Sequence, residues 1–150
     1  MSLELTGGCQ CGAVRYRAKV QAPNAYYCHC RMCQRAFGNV FATFFNAPAA
    51  DVVWERGEPK LYCSSPLAQR GFCGACGTPL SFRYDGAARI DLSVGSLDDP
   101  AVMRPAFHLC VESRVGAFHV PDGLPEHAIT ESADYQRCLA ATGGVPPRAR

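Results

Sequence analysis

The cysteines constrain this chain more than any other feature, because seven of the ten lie in three tight clusters. The clusters are Cys9/Cys11, Cys28/Cys30/Cys33 and Cys73/Cys76. A disulfide framework spaces its cysteines out, since near neighbours are strained when they are bridged to each other. A metal ion needs several sulfurs at one point, at a metal–sulfur distance of about 2.3 Å for zinc. The clustering therefore predicts that most of these thiols bind metal.

Length and charge restrict the remaining possibilities. A chain of 150 residues is expected to form one domain, which we place at residues 1–142, followed by a disordered tail at residues 143–150. The net charge of +2 indicates neither a nucleic-acid partner nor a membrane surface. No apolar run is as long as a membrane span, and the N-terminal stretch does not resemble a secretory signal. We therefore expect a cytoplasmic protein, in a compartment where thiols stay reduced.

The hydrophobic pattern consists of short strands separated by Gly, Pro, Asn and Asp, which is typical of an antiparallel fold. Strands are predicted at residues 13–20, 39–47, 51–57, 60–65, 79–86, 88–97 and 107–113. A helix of about two turns is predicted at residues 31–38, ended by Gly38. A second helix is predicted at residues 131–142, with Ser132 or Thr130 as its N-cap. The predicted fold class is therefore mainly β, with two short helices.

The first and third clusters predict a structural zinc site. Glycines flank both pairs in "GGCQCG" and "FCGACG", and glycine lets a backbone turn tightly around a metal. Two pairs brought together by folding supply a closed set of four thiolates, the pattern of a structural zinc ion. The predicted ligands are Cys9, Cys11, Cys73 and Cys76. Such a site would join the start of the chain to its middle, so its binding energy would contribute to folding.

The central cluster, C-x-C-x-x-C, offers three sulfurs and no fourth one nearby. A zinc ion held by Cys28, Cys30 and Cys33 would keep one position for water or substrate, which is the layout of a catalytic site. The alternatives are a redox pair or a second structural zinc ion with a fourth ligand from elsewhere. The candidates for that ligand are His29, His108, Cys63 and Cys110. The three scattered cysteines, Cys63, Cys110 and Cys138, are otherwise expected to be small buried hydrophobic residues.

Three thiolates make a zinc ion electron-rich, so it suits a soft fourth ligand better than it suits hydrolysis. A thiol that coordinates such an ion is deprotonated, and the thiolate is the nucleophile of sulfur chemistry. The open position is therefore expected to bind a substrate thiol such as glutathione. The carboxylates of that thiol need cationic partners, for which the candidates are Arg31, Arg35, Arg70 and Arg114.

Six segments, in this order and spacing, resemble the glutathione-dependent formaldehyde-activating (Gfa) family. They are "GGCQCGAVRY", "CHCRMCQRAFG", "FCGACGTPLSF", "VGSLDDP", "FHLCVES" and "DGLPEH", and they run from Gly7 to about His127. The resemblance implies a β-tent fold with two zinc ions per chain. One ion would be structural, on Cys9, Cys11, Cys73 and Cys76, and the other catalytic, on Cys28, Cys30 and Cys33.

The resemblance also implies a carbon–sulfur lyase activity, in which a zinc-bound thiolate adds to formaldehyde to give S-(hydroxymethyl)glutathione. His108 falls at the histidine of a late H-x-x-x-x-S motif, and we expect it to donate a proton or to orient a ligand. Two features depart from the family. Ala117 stands where tryptophan is usual, and the chain is shorter than relatives that use glutathione.

Two other readings stay open beside the enzyme. The first is a non-catalytic, zinc-stabilised binding or carrier module, because one fold hosts many functions. A fourth ligand supplied by the chain to the central cluster would favour this module. The second is a relative of the methionine sulfoxide reductases, which would need a reactive cysteine outside the clusters. Cys110 is the candidate for that cysteine, but the motif around it does not match.

Overall fold

The computed structural model describes residues 2–144, and within them the chain is mainly β, as predicted. The strands are β1 Leu3–Gly8, β2 Arg15–Val20, β3 Asn24–Cys28, β4 Ala42–Pro48, β5 Val52–Arg56, β6 Lys60–Ser65, β7 Ala68–Phe72, β8 Pro79–Tyr84, β9 Arg89–Ser93, β10 Arg104–Leu109 and β11 Glu126–His127. The α-helices are α1 Arg31–Phe37 and α2 Ala133–Ala141. Short 3-10 turns connect several of these elements.

The strands form two sheets. The small sheet is antiparallel, in the order β1-β2-β5, and the large sheet has the order β11-β10-β3-β4-β9-β8-β7-β6. Most neighbours in the large sheet are antiparallel, but β10 runs parallel to both β3 and β11. The expectation of antiparallel sheets therefore holds except at this end of the large sheet, where β10 brings the late part of the chain beside β3.

The main core lies between the two sheets. Successive side chains of a strand point to opposite faces, so alternate residues of the large sheet face the small one. Phe45 and Leu92 face this core together with Tyr16 of β2, and all three are almost fully buried. Their sequence neighbours Phe44 and Asp91 therefore point to the other face of the large sheet.

That other face is covered by the two helices. Helix α1 begins after Cys30, whose sulfur accepts a hydrogen bond from the Cys33 amide at 3.3 Å, and it ends at Gly38, where φ is 60°. Helix α2 begins after Ser132, whose hydroxyl oxygen accepts a hydrogen bond from the Tyr135 amide at 3.3 Å. Gly38 and the Ser132 cap are as predicted, and a cavity is left between the helices.

Two predictions concern the ends and the environment of the chain. Of the predicted tail, residues 143 and 144 continue the turn after α2, and residues 145–150 lie outside the described residues. Between residues 2 and 144, no helix combines the length and the apolar character needed to cross a membrane.

Candidate active site and metal centres

Four cysteines from two loops form the first cluster, as the sequence predicts. Cys9 and Cys11 lie in the β1–β2 loop, and Cys73 and Cys76 lie in the β7–β8 loop. Their four sulfur atoms all lie within 4.8 Å of one another. The Cys11 sulfur is 3.5 Å from that of Cys9 and 3.7 Å from that of Cys73. The edge of a tetrahedron of sulfurs bound at 2.3 Å is about 3.8 Å, so the set fits one zinc ion.

Backbone hydrogen bonds shape these two loops. The Gln10 amide donates to the Thr78 hydroxyl oxygen at 3.1 Å, which ties one loop to the other. The Thr78 hydroxyl and backbone also lower the pKa of Cys76 to about 5, which favours the thiolate that a metal requires. Since one loop belongs to the small sheet and the other to the large sheet, an ion here would fasten the two sheets together.

The central cluster lies where β3 passes into α1. Cys28 is the last residue of β3, Cys30 is the N-cap of α1, and Cys33 is in the first turn of that helix. Hydrogen bonds from the neighbouring thiols of Cys110, Cys28 and Cys33 hold the pKa of Cys30 well below its usual range. The arrangement therefore stabilises negative charge on a sulfur, as a metal-binding site does.

A fourth cysteine joins this cluster from the other side. Cys110 follows β10 directly, and its sulfur is 3.9 Å from that of Cys28. The sulfurs of Cys28, Cys30 and Cys110 all lie within 4.8 Å of one another, and this close set does not include Cys33, which the sequence predicts as the third ligand. The strand register explains why Cys110 lies beside Cys28, because Leu109 of β10 pairs in parallel with Cys28 of β3. The carboxyl ends of parallel strands lie at the same edge, so the residue after Leu109 reaches the cluster.

Arg70 of β7 lies beside the sulfur of Cys33. Its Nη2 donates to that sulfur at 3.3 Å, and its guanidinium carbon lies 4.9 Å from the centre of the Phe82 ring. The guanidinium is largely buried, and Nη1 has no hydrogen-bond partner among the described residues. Arg70 therefore gives this end of the site a fixed positive charge that favours thiolates and other anions.

A cavity of about 540 Å³ opens from the cysteines across the helix-covered face of the large sheet. Six aromatic side chains contribute to its wall, which are Tyr26, Phe44, Phe82, Tyr84, Phe107 and Tyr135. Most of them come from alternate positions of neighbouring strands, as the two-residue period of a strand requires. Cys28, Cys30, Cys33 and Cys110 line the same cavity. The central cluster is therefore open to a small molecule.

One carboxyl group faces this cavity. Asp91 of β9 accepts a hydrogen bond from the Asn46 amide nitrogen at 2.8 Å and interacts with the Tyr26 hydroxyl. Burial raises the pKa of Asp91 to about 6, although these two contacts oppose the rise. No sequence motif marks Asp91, and only the fold shows that it shares a cavity with the cysteines.

His108 lies on the opposite face of β10 from the cavity. Its Nδ1 is 2.9 Å from Nε2 of His29, and its Nε2 is 3.1 Å from a carboxylate oxygen of Asp122. Its ring stacks on Tyr27 at 4.7 Å, and its side chain is 1% exposed. Burial lowers the pKa of the neighbouring His29 to about 4. His108 therefore supports the segment between Cys28 and Cys30 and does not line the cavity.

The other residues weighed from the sequence lie apart from the cavity or play structural roles. Cys63 is exposed on β6, so its expected burial is wrong. Cys138 lies on the buried face of α2, as expected. Arg114 pairs with Glu126 at 2.8 Å, and Arg31 hydrogen-bonds the side chain of Gln34.

Comparisons with known proteins show the family and the fold. The model of the glutathione-dependent formaldehyde-activating enzyme family matches residues 4–113, so the chain belongs to this family. A protein of Schizosaccharomyces pombe (strain 972 / ATCC 24843) named an uncharacterized lyase is 35% identical over 81 residues, which cover 54% of this chain. The match spans 58% of that relative's length. The crystal structure of a Rhodobacter sphaeroides protein is 21% identical, with a TM-score of 0.53, and the match covers 82% of this chain and 99% of that one. This last likeness shows the fold.

Proposed function

We propose that the protein is a carbon–sulfur lyase-type enzyme that adds a thiol, glutathione or a similar one, to formaldehyde or a related small aldehyde. One observation carries the proposal: the central cysteine cluster forms one end of a cavity of about 540 Å³. Membership of the family and the lyase name of the yeast relative point to the same class of reaction. A purely structural metal site has no need of a cavity against its ligands.

Zinc is the metal that this proposal assigns to both clusters. Cys9, Cys11, Cys73 and Cys76 would hold a structural ion, and Cys28, Cys30 and Cys33 would hold a catalytic one. The donor sets fit zinc, because the first has four sulfurs at tetrahedral spacing and the second consists of sulfur donors, of which Cys28 and Cys30 lie close together. A bound zinc ion would keep a substrate thiol deprotonated at neutral pH. All ten cysteines are free thiols in the structure, which suits the reducing cytoplasm that we assign to the protein.

The charges around the cavity support a substrate that is both a thiol and an anion. Arg70 lines the cavity and also an adjoining groove of about 650 Å³, in which Arg35 lies. A peptide-like thiol with its sulfur at the cluster could extend past Arg70 into this groove, with its carboxylates on the two arginines. Arginine suits such a role, since its fork of donors matches a carboxylate.

Asp91 takes the proton-donating role for which the sequence offered His108. When the thiolate sulfur attacks the aldehyde carbon, the C=O bond becomes a C–O⁻ group, and this oxygen needs a proton. Asp91 faces the cavity and is protonated in part near neutral pH, whereas His108 faces away. The carboxyl gives its proton to the oxygen and regains one from solvent after the product leaves. We assign His108 the second role expected of it, that of holding His29 and the ligand segment in place.

The non-catalytic module remains a second candidate, and Cys110 favours it. If Cys110 permanently filled the fourth position on the central metal, the centre would be closed like the first one. The protein would then bind a partner or carry an adduct without changing it.

The uncatalysed addition is fast, so the test measures acceleration over that background. Proton NMR exchange spectroscopy gives the rate at which glutathione and S-(hydroxymethyl)glutathione interconvert at equilibrium. We expect the zinc-loaded protein to raise this rate and the Cys30→Ser variant to leave it at the background. Cys138→Ser is the matched control, because it removes a buried thiol that belongs to neither cysteine cluster. Equal rates with wild type, Cys30→Ser and no protein would refute the enzyme and favour the module.

A further inference from the structure

The position of Cys110 carries an inference beyond the three-cysteine site. Its sulfur lies 3.9 Å from that of Cys28, which is close to the spacing of about 3.8 Å between two sulfurs on one zinc ion. Its side chain is 1% exposed. Cys110 therefore forms a close set with Cys28 and Cys30 at this end of the cavity, and Cys33 lines the same cavity.

Cys110 has a strained backbone conformation, and in this conformation its sulfur lies beside the sulfur of Cys28. Cys110 is the only non-glycine residue with a positive φ in the described chain, with φ 61° and ψ 42°. This left-handed conformation costs free energy for any residue with a Cβ atom, and such strain is concentrated at functional sites. Hydrogen bonds hold it from both sides, from the His29 amide to the Leu109 carbonyl at 2.9 Å and from the Ser113 amide to the Cys110 carbonyl at 3.0 Å.

We propose that Cys110 is an exchangeable fourth ligand, which fills the open position of the central metal at rest and yields it to the substrate thiol. The proposal rests on the proposed function for the identity of that thiol. Cys110 lines the cavity by which a small molecule reaches the cluster, so the two sulfurs compete at one place. In the exchange, the substrate thiol gives its proton to the Cys110 thiolate and takes over its position, so protons and charge balance.

Arg70 helps to explain why Cys110, rather than one of the motif cysteines, is the ligand that leaves. Cys33 is fixed by the 3.3 Å hydrogen bond from the Arg70 guanidinium, and Cys30 by the hydrogen bond from the Cys33 amide. Cys28 ends a strand that is paired on both edges. Cys110 instead begins a single 3-10 turn, and rotation at this strained residue would also relieve its φ.

An internal ligand lowers the affinity for an external one. If Cys110 holds the position for nine-tenths of the time, the apparent dissociation constant for the thiol rises about tenfold. Removing the Cys110 sulfur should therefore tighten thiol binding by about tenfold, even though it removes a metal ligand.

Cobalt(II) substitution tests this, because the sulfur-to-cobalt charge-transfer band grows with the number of bound thiolates. The proteins compared are wild type, Cys110→Ser, Cys110→Gly and the control Cys138→Ser. Glycine adopts a φ of 61° without strain, so Cys110→Gly should fold even if the serine variant does not. We expect a weaker band in both Cys110 variants and an unchanged one in Cys138→Ser. Added glutathione should restore the band in the Cys110 variants and leave it nearly unchanged in wild type, where one thiolate replaces another. S-methylglutathione should not restore it. Calorimetry should give the variants a dissociation constant for glutathione about a tenth of that of wild type.

The outcomes separate this inference from the function on which it rests. An unchanged band in both Cys110 variants means that Cys110 is not a ligand, and it overturns the proposal. A weaker band with equal glutathione affinity in wild type and variants also overturns it, because there is no competition. A weaker band with no response to glutathione in any protein overturns the exchange and the thiol substrate together. Exchange as expected, with no acceleration in the NMR assay, supports the ligand and refutes only the enzyme.

Discussion

Replacing Asp91 by asparagine should change how the stability of the protein depends on pH. Asp91 forms hydrogen bonds with Asn46 of β4 and Tyr26 of β3. Arg89, which lies on the same strand as Asp91, donates a hydrogen bond to Asn46 and not to Asp91. Asp134 of α2 adds a like charge nearby. Within residues 2–144, the carboxyl is thus buried without an ion-pair partner. Burial consequently dominates and raises its pKa from 3.8 to about 6.

The size of the effect follows from this pKa. An acid whose pKa is raised by folding holds its proton more tightly in the folded state, so it favours folding at low pH. That advantage is complete below the unfolded pKa of 3.8 and is lost as the pH rises through about 6. With these two pKa values, the free energy of unfolding should fall by about 1.4 kcal/mol between pH 5 and pH 7.5. Asparagine does not titrate, so Asp91→Asn should lack this pH-dependent change in the free energy of unfolding.

Urea unfolding of the zinc-loaded proteins at pH 5 and pH 7.5 measures this change in the free energy of unfolding. Subtracting the variant from wild type at each pH cancels the pH dependence of the metal centres, which both proteins share. Asp98→Asn is the matched control. Its partner Arg15 lowers the pKa of Asp98 to about 2, so it titrates below the range tested. A difference between wild type and Asp91→Asn that stays constant from pH 5 to pH 7.5 would show that Asp91 is ionised throughout, which would also remove it as a proton donor.

Three further changes have defined outcomes. Cys73→Ser should lose one zinc ion per chain and should be unfolded when measured by circular dichroism. Cys30→Ser should keep its fold and lose activity. Equal instability of the two variants would contradict the division into structural and catalytic centres. Tyr16→Phe removes the buried 2.8 Å hydrogen bond to the Ser96 hydroxyl and should lower the unfolding free energy by about 1 kcal/mol in urea titrations. Arg70→Met should raise the KM for glutathione more than for 2-mercaptoethanol, which has no carboxylate; equal changes would argue against carboxylate binding.

The sequence predicts those elements whose local signals agree with their place in the fold. The strand at residues 60–65 matches β6 in full, and α1 ends at Gly38 because only a residue tolerant of positive φ suits that position. The strands β1, β3, β7 and β11 were not predicted. Strand β7 reads "AQRGF", with polar residues and a glycine, and is held as a strand by pairing with neighbours on both edges. Such pairing depends on distant segments and leaves no local pattern.

The residues of the candidate site also differ in whether the sequence alone could predict them. The motif cysteines could be found from the sequence, because metal ligands within one loop have short, recognisable spacings. Cys110 was one of four candidates for a fourth ligand, and nothing in its own segment singled it out. What places it is the parallel register of Leu109 with Cys28, a contact between residues 81 positions apart. Asp91 was missed for a similar reason, since its environment comes from β3, β4 and α2.

The two candidate metal centres differ because of what each one connects. An ion at the first centre would join loops from two separate sheets, so losing it would weaken the packing of the small sheet on the core that the two sheets share. The second lies entirely on one sheet, where β3 and β10 are already joined by backbone hydrogen bonds. The fold therefore does not need a permanent ion at the second centre. A ligand there can leave and return without unfolding the protein, which is what an exchange between Cys110 and a substrate thiol requires.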